Sequence, residues 1–180
     1  MTQTAALPHQ ILRAATHAAH EKVDSRFSCF DLTDFRSYGR FLSAHARVLP
    51  AIEAGLQAHD HLPPFEPRTA ALRSDLAALA LATPDLLALP FYDSLASAWG
   101  AFYVVEGSRL GGLMLSRLVP ATLPRAYLSS SHPRGGWRTI LTAMDEAAAA
   151  RGDDWVEEAV RSARLVFDLY DRAAAMELDA

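Results

Sequence analysis

The chain has 180 residues, 51% of them apolar and 21% charged, which suits a single globular domain spanning 1–180 with a sizeable core. Its net charge of −4, without a Lys/Arg cluster, argues against a nucleic-acid partner, and a lone Cys29 excludes an internal disulfide and Cys-rich metal spacings. Met1 to Gln10 lacks a basic region followed by an apolar stretch, and no run approaches the roughly 18 apolar residues of a membrane span, so a cytoplasmic protein without membrane attachment is expected.

Alanine and leucine dominate while β-branched residues are sparse, which favours helices throughout. A first helix is expected from about Pro8 to Ser25, with proline in its first turn. Thr33 or Asp34 can cap a second, reaching about His59, with Phe35, Tyr38, Phe41, Leu42, Leu49 and Ile52 at helical spacing. Pro50 should kink or split it, and Pro63, Pro64 and Pro67 end it. A third helix covers Arg68 to Ala82, followed by a short connection bracketed by Pro84 and Pro90. Phe91 to Val119 reads as a long fourth helix interrupted by glycine, and 124–136 as a loop. Trp137 to Ala150 and Asp153 to Leu178 complete an all-α bundle.

On a helical wheel, Leu12, Thr16, Ala19, Val23 and Phe27 form the apolar stripe of the first helix. His20 falls at the edge of that stripe with Arg13 beside it, while His17 sits toward the polar face with Glu21 and Asp24. Thr16 and Ala19, the stripe residues nearest His20, are small and leave room for something bulky. Asp24, one turn on, can hold the second ring nitrogen, as carboxylates do for metal-bound histidines. A core histidine hydrogen-bonded to Asp24 fits the same pattern.

The fourth helix holds the most unusual stretch, Trp99-Gly-Ala-Phe-Tyr-Val-Val-Glu-Gly-Ser-Arg-Leu-Gly-Gly-Leu-Met114. Each glycine in a helix interior costs about 1 kcal/mol relative to alanine, so Gly107, Gly111 and Gly112 together cost on the order of 3 kcal/mol. Gly107 and Gly111 share a face and let backbone approach a flat object closely. Close helix–helix packing through small residues is the competing explanation. A phosphate-binding loop is excluded, because the glycines interrupt a helical pattern and no Gly-Lys-Ser/Thr follows.

Leu12-Arg-Ala-Ala-Thr-His-Ala-Ala-His20-Glu-Lys-Val-Asp24 resembles the proximal helix of heme oxygenases. Tyr103-Val-Val-Glu-Gly-Ser-Arg-Leu-Gly-Gly112 resembles their distal helix, especially in the bacterial branch that accompanies bacteriophytochromes. Their order and spacing extend the resemblance over nearly the whole chain. It implies a heme sandwiched between a proximal first helix and a glycine-kinked distal fourth helix, and oxidative cleavage of that heme to biliverdin, carbon monoxide and iron. His20 then matches the iron ligand and Asp24 the carboxylate behind it, with Thr16 alongside. Gly107, Gly111 and Gly112 match the distal backbone wall. Arg13, Arg134, Arg138 and Tyr103 match propionate-binding positions, and Phe167 an aromatic lining residue, although Arg134 and Arg138 also suit solvated surface charge. The remaining histidines, His9, His45, His59, His61 and His132, read as surface or loop residues.

Many heme oxygenases carry aspartate after the first distal glycine; here that position is Ser108, which can orient water but cannot store negative charge near neutral pH. The bacteriophytochrome-associated branch shares this departure. Arg109 is a candidate for proton delivery in its place. The resemblance further implies dioxygen as co-substrate and an external electron donor, a separate reductase or ferredoxin, because the chain has no flavin or iron–sulfur motif. It also implies a bacteriophytochrome as recipient of biliverdin. The alternative is a carrier or sensor on the same scaffold that binds heme without turning it over.

Overall fold

A computed structural model describes residues 6–89 and 94–180, and among these every regular element is helical. The helices are α1 (Pro8–Phe27), α2 (Phe35–Ala46), α3 (Leu49–Gln57), α4 (Thr69–Ala78), α5 (Leu95–Leu115), α6 (Ala126–Ser129), α7 (Gly136–Ala149) and α8 (Asp153–Leu178). Pro90 and Phe91, expected to close a connection and open the fourth helix, lie outside the described residues.

Local chemistry explains most boundaries. Asp34, rather than Thr33, caps α2, its carboxylate accepting from the Ser37 N–H at 2.8 Å. The long second helix splits at Arg47–Val48, and Pro50 falls in the first turn of α3, where its missing N–H costs nothing. α4 ends four residues before the expected Ala82. Ala80 adopts a left-handed conformation (φ 56°) and the Leu81 N–H reaches back to the Leu76 carbonyl at 3.0 Å, a Schellman closure. The expected loop 124–136 contains the single turn α6, whose first N–H groups, from Ala126 and Tyr127, are taken up by Asp75 at 3.1 and 2.9 Å. α5 runs unbroken through Gly107, Gly111 and Gly112; the expected interruption does not occur.

α8 is the central strut. α5, α1 and α2 all pack along it, whereas α1 and α5 share no extended contact with each other. Gly100 permits the closest approach: a Cβ there would sit 2.1 Å from the Ala159 carbonyl oxygen of α8. On the other flank, Asp171 of α8 binds Lys22 of α1 at 2.8 Å and also pairs with Arg26. Burial alone would raise the Asp171 carboxyl, but these two cations hold it below the usual carboxylate range. His9 ties the start of α1 to α7, its Nδ1 2.6 Å from an Asp145 carboxylate that also accepts the His9 N–H. These ties hold the two helices on either side of an opening that α8 floors.

Candidate functional site

That opening is a cavity of about 330 Å³, within the range of small-molecule sites. α1 contributes His20, Val23, Asp24 and Phe27, and α5 contributes the wall from Tyr103 to Leu115. Phe167 and Tyr170 of α8, Phe41 and His45 of α2, Arg68, Tyr127 and Trp137 complete it.

His20 is 57% exposed and stands at the mouth of this slot rather than in the core. Its Nδ1 lies 3.0 Å from the Asp24 carboxylate, and its ring meets Phe167 edge-on with centroids 5.5 Å apart. An Nδ1–H donated to Asp24 fixes the tautomer that leaves a lone pair on Nε2, the form in which imidazole ligates metal. His17 is 70% exposed and does not line the slot. Thr16 departs from its expected place beside the ligand. It is buried, its hydroxyl donating to the Leu12 carbonyl at 2.7 Å, and it belongs to the core instead of the cavity wall.

The three glycines do different things. Gly111 borders the cavity, and a Cβ added there would meet no heavy atom within 4 Å. Helix stability is given up at this position although no protein neighbour requires it. At Gly107 a Cβ would approach the Trp137 ring at 3.2 Å, and at Gly112 the Leu128 carbonyl at 3.4 Å. These two glycines therefore also serve packing against α7 and α6. Tyr103 is half-buried between the slot and Trp137; burial pushes its hydroxyl pKa up, opposed by the nearby charge of Arg13. Arg13 itself is exposed outside the lining. Arg134 and Arg138 border a separate shallow recess at the start of α7 and do not reach the slot.

Arg109, a candidate for proton delivery, and His132, expected at the surface or in a loop, are both tied to Glu106. Arg109 is 3% exposed and pairs through Nε and Nη2 with both Glu106 oxygens at 2.9 Å, so it holds structure and does not face solvent. His132 donates from Nε2 to the Glu106 carbonyl at 3.0 Å and stacks on Trp137. His45, also expected at the surface, faces the inner end of the slot among Phe27, Phe41, Tyr127 and Tyr170. Its Nδ1 contacts the Phe41 carbonyl at 2.8 Å, and burial pushes its pKa down to about 4, so the ring is neutral with its lone pair on Nε2. Its helical spacing from Phe41 was the available signal, since it shares that residue's buried face.

The residue that spacing could not reveal is Arg68. It lies 2% exposed at the start of α4 and lines the slot. Its Nη2 donates to the Val105 carbonyl at 2.8 Å and the Ser108 hydroxyl at 2.9 Å, while Ser108 donates in turn to Val105 at 2.7 Å.

No protein-family model matches the chain. A heme oxygenase of Xanthomonas campestris pv. campestris is 29% identical over 160 residues, covering 80% of this chain and 92% of that protein. The crystal structures of the NO- and CO-bound heme oxygenase of Neisseria meningitidis superimpose with a TM-score of 0.77, covering 97% of this chain and 94% of that one at 23% identity. The chain is thus similar in sequence to one heme oxygenase and shares its fold with another, and it brings an imidazole and a glycine-bearing helix wall into one cavity.

Proposed function

We propose that this chain binds heme between α1 and α5 and cleaves it oxidatively to biliverdin, carbon monoxide and iron. One observation carries the reading: the Asp24-oriented imidazole of His20 shares a slot with a helix wall on which a Cβ added at Gly111 would meet no neighbouring atom within 4 Å. The lining fits a porphyrin. It is apolar and aromatic along Val23, Phe27, Leu115, Phe167 and Tyr170, and it is open at the His20 end, where carboxylates can stay in water. Bound there, heme supplies both the redox iron and the carbon that is oxidised.

The chain's own residues do the rest. His20 ligates iron as a neutral imidazole held by Asp24, a ligand that does not drive O–O cleavage as a thiolate does. Gly107 and Gly111 present backbone only, so no side chain obstructs the distal face. Tyr103 and exposed Arg13 stand at one side of the slot and are suited to a propionate; Phe167 closes the proximal side by packing on His20. Arg134 and Arg138 lie outside the lining, and a role in anchoring heme requires α7 to move toward it. The reaction draws electrons from a separate reductase or ferredoxin. We place the protein in the cytoplasm as one domain over 1–180, delivering biliverdin to a bacteriophytochrome. The Ser108-bearing distal segment supports that last assignment, and no helix among the described residues is long and apolar enough to cross a membrane.

The test is to add hemin, a reductant and air. Loss of the Soret band with growth of a biliverdin band supports the reading. A stable Soret band through many minutes of reduction identifies a carrier or sensor, and no stoichiometric uptake of heme refutes both.

A further inference from the structure

The polar groups around the inner wall of the slot are unevenly paired. Glu53, 1% exposed, is spent on the start of α4, accepting from the Arg68 N–H at 2.8 Å and from the Thr69 N–H and hydroxyl at 2.9 and 2.7 Å. Asp75 is spent on α6, and Glu106 on Arg109. Each buried carboxylate nearby is thus committed elsewhere. Among the described residues, no carboxylate oxygen lies within 4 Å of the Arg68 guanidinium.

Arg68 is therefore a buried cation facing a cavity without a counter-ion. Its Nε is sealed from solvent with no hydrogen-bond partner, and the Tyr127 ring beneath it, 5.2 Å away, offsets its charge only in part. Buried guanidinium groups are ordinarily paired, because an uncompensated charge in low dielectric is costly. Its hydrogen bonds to Val105 and Ser108 hold it against the distal helix, one turn from Gly111.

The geometry points to Arg68 as an anion-stabilising residue of the distal face, supplying fixed positive charge to a small anion, or to the negative charge that develops on reduced dioxygen, over the glycine wall. In this arrangement Ser108, which bears no charge, leaves the guanidinium unneutralised and holds it in place. A Ser at that position and a bare Arg68 are then two halves of one device. The inference rests on heme occupying the slot. The other titratable groups lining it are His20 and Asp24 on α1, His45 on α2, Tyr103 on α5, Tyr127 on α6 and Tyr170 on α8. Burial keeps His45 neutral above about pH 4 and raises Tyr103 and Tyr127, so Arg68 is the permanent cation of the inner wall.

Ferric heme complexes of the wild type, R68M, R68K and S108D are to be titrated with azide and fluoride, and their acid–alkaline absorbance transition followed against pH. We expect R68M to lose at least tenfold in affinity for both anions and its transition to move to higher pH. R68K should recover most of both. S108D, which brings a carboxylate within reach of Nη2, should weaken anion binding while leaving the guanidinium in place. Heme uptake by the wild type is measured first, and its failure overturns the functional reading together with this one. Normal uptake with unchanged anion affinities in R68M and S108D overturns the role of Arg68 alone, leaving it a purely structural side chain. If R68M does not fold, S108D decides: a tenfold loss supports the assignment and none overturns it.

Discussion

Replacing Gly111 with alanine separates the needs of the fold from those of the ligand. In a helix interior that change is worth about 1 kcal/mol in favour of alanine. Nothing lies within 4 Å of the added methyl group, so no clash subtracts from the gain. The heme-free protein should therefore become more stable by about 0.5–1 kcal/mol, and its Tm should rise by about 1–4 °C for a domain of this size. The same methyl group projects from the wall against which heme would lie, so heme affinity measured by Soret titration should fall by about tenfold, roughly 1.4 kcal/mol. Gly100→Ala is the control of opposite sign, because its methyl would lie 2.1 Å from the Ala159 carbonyl oxygen and must force α5 away from α8. Overpacking of that kind costs about 1–3 kcal/mol or more. Urea denaturation of the heme-free proteins and heme titration of each provide the comparison. Should Gly111→Ala destabilise the free chain, or bind heme as tightly as the wild type with turnover intact, the argument that this glycine is kept for a ligand fails.

His20→Ala should abolish the histidine-ligated heme spectrum and turnover, with added imidazole restoring the spectrum; an unchanged spectrum would transfer the ligand role to His17 or His45. Arg13→Ala should weaken heme binding by about tenfold, the lower end for a charge-assisted hydrogen bond because Arg13 is exposed. Normal affinity and a single product isomer would count against its propionate contact. For His45 the folded pKa of about 4 lies below the ordinary 6.5. Above pH 6.5 the ring is neutral in both states and titration contributes nothing, but as pH falls from 6.5 toward 4 the unfolded chain takes up the proton first and stability is lost. Between pH 7 and 4.5 the heme-free wild type should therefore lose about 2–3 kcal/mol more than His45→Gln does. Parallel stability curves for the two proteins would refute the enclosure of His45.

The helical character of the chain and the two segments that form the slot were legible because they depend on local spacing. The wheel placed His20 at the edge of the α1 stripe and Asp24 one turn away, and the observed 3.0 Å contact is the (i, i+4) geometry any such pair shares. The glycines stood out because their cost to a helix is intrinsic. Less legible were the helix ends fixed by particular caps, such as the left-handed Ala80 that closes α4 early.

By itself, then, the sequence determined which residues lie on which face of which helix, and so that an imidazole and a run of bare backbone were both available. Only the tertiary structure decided what those faces meet. It assigned Gly100 to helix packing and Gly111 to the open slot, sank Thr16 into the core, and turned Arg109 into one half of a buried pair. It also brought Arg68 from the start of α4 against Ser108, forty residues on, with its neighbouring carboxylates already committed to helix ends. The reason is that burial and charge pairing are set by long-range packing around α8, where residues far apart in the chain compete for the same partners, and helical periodicity carries no information about that competition.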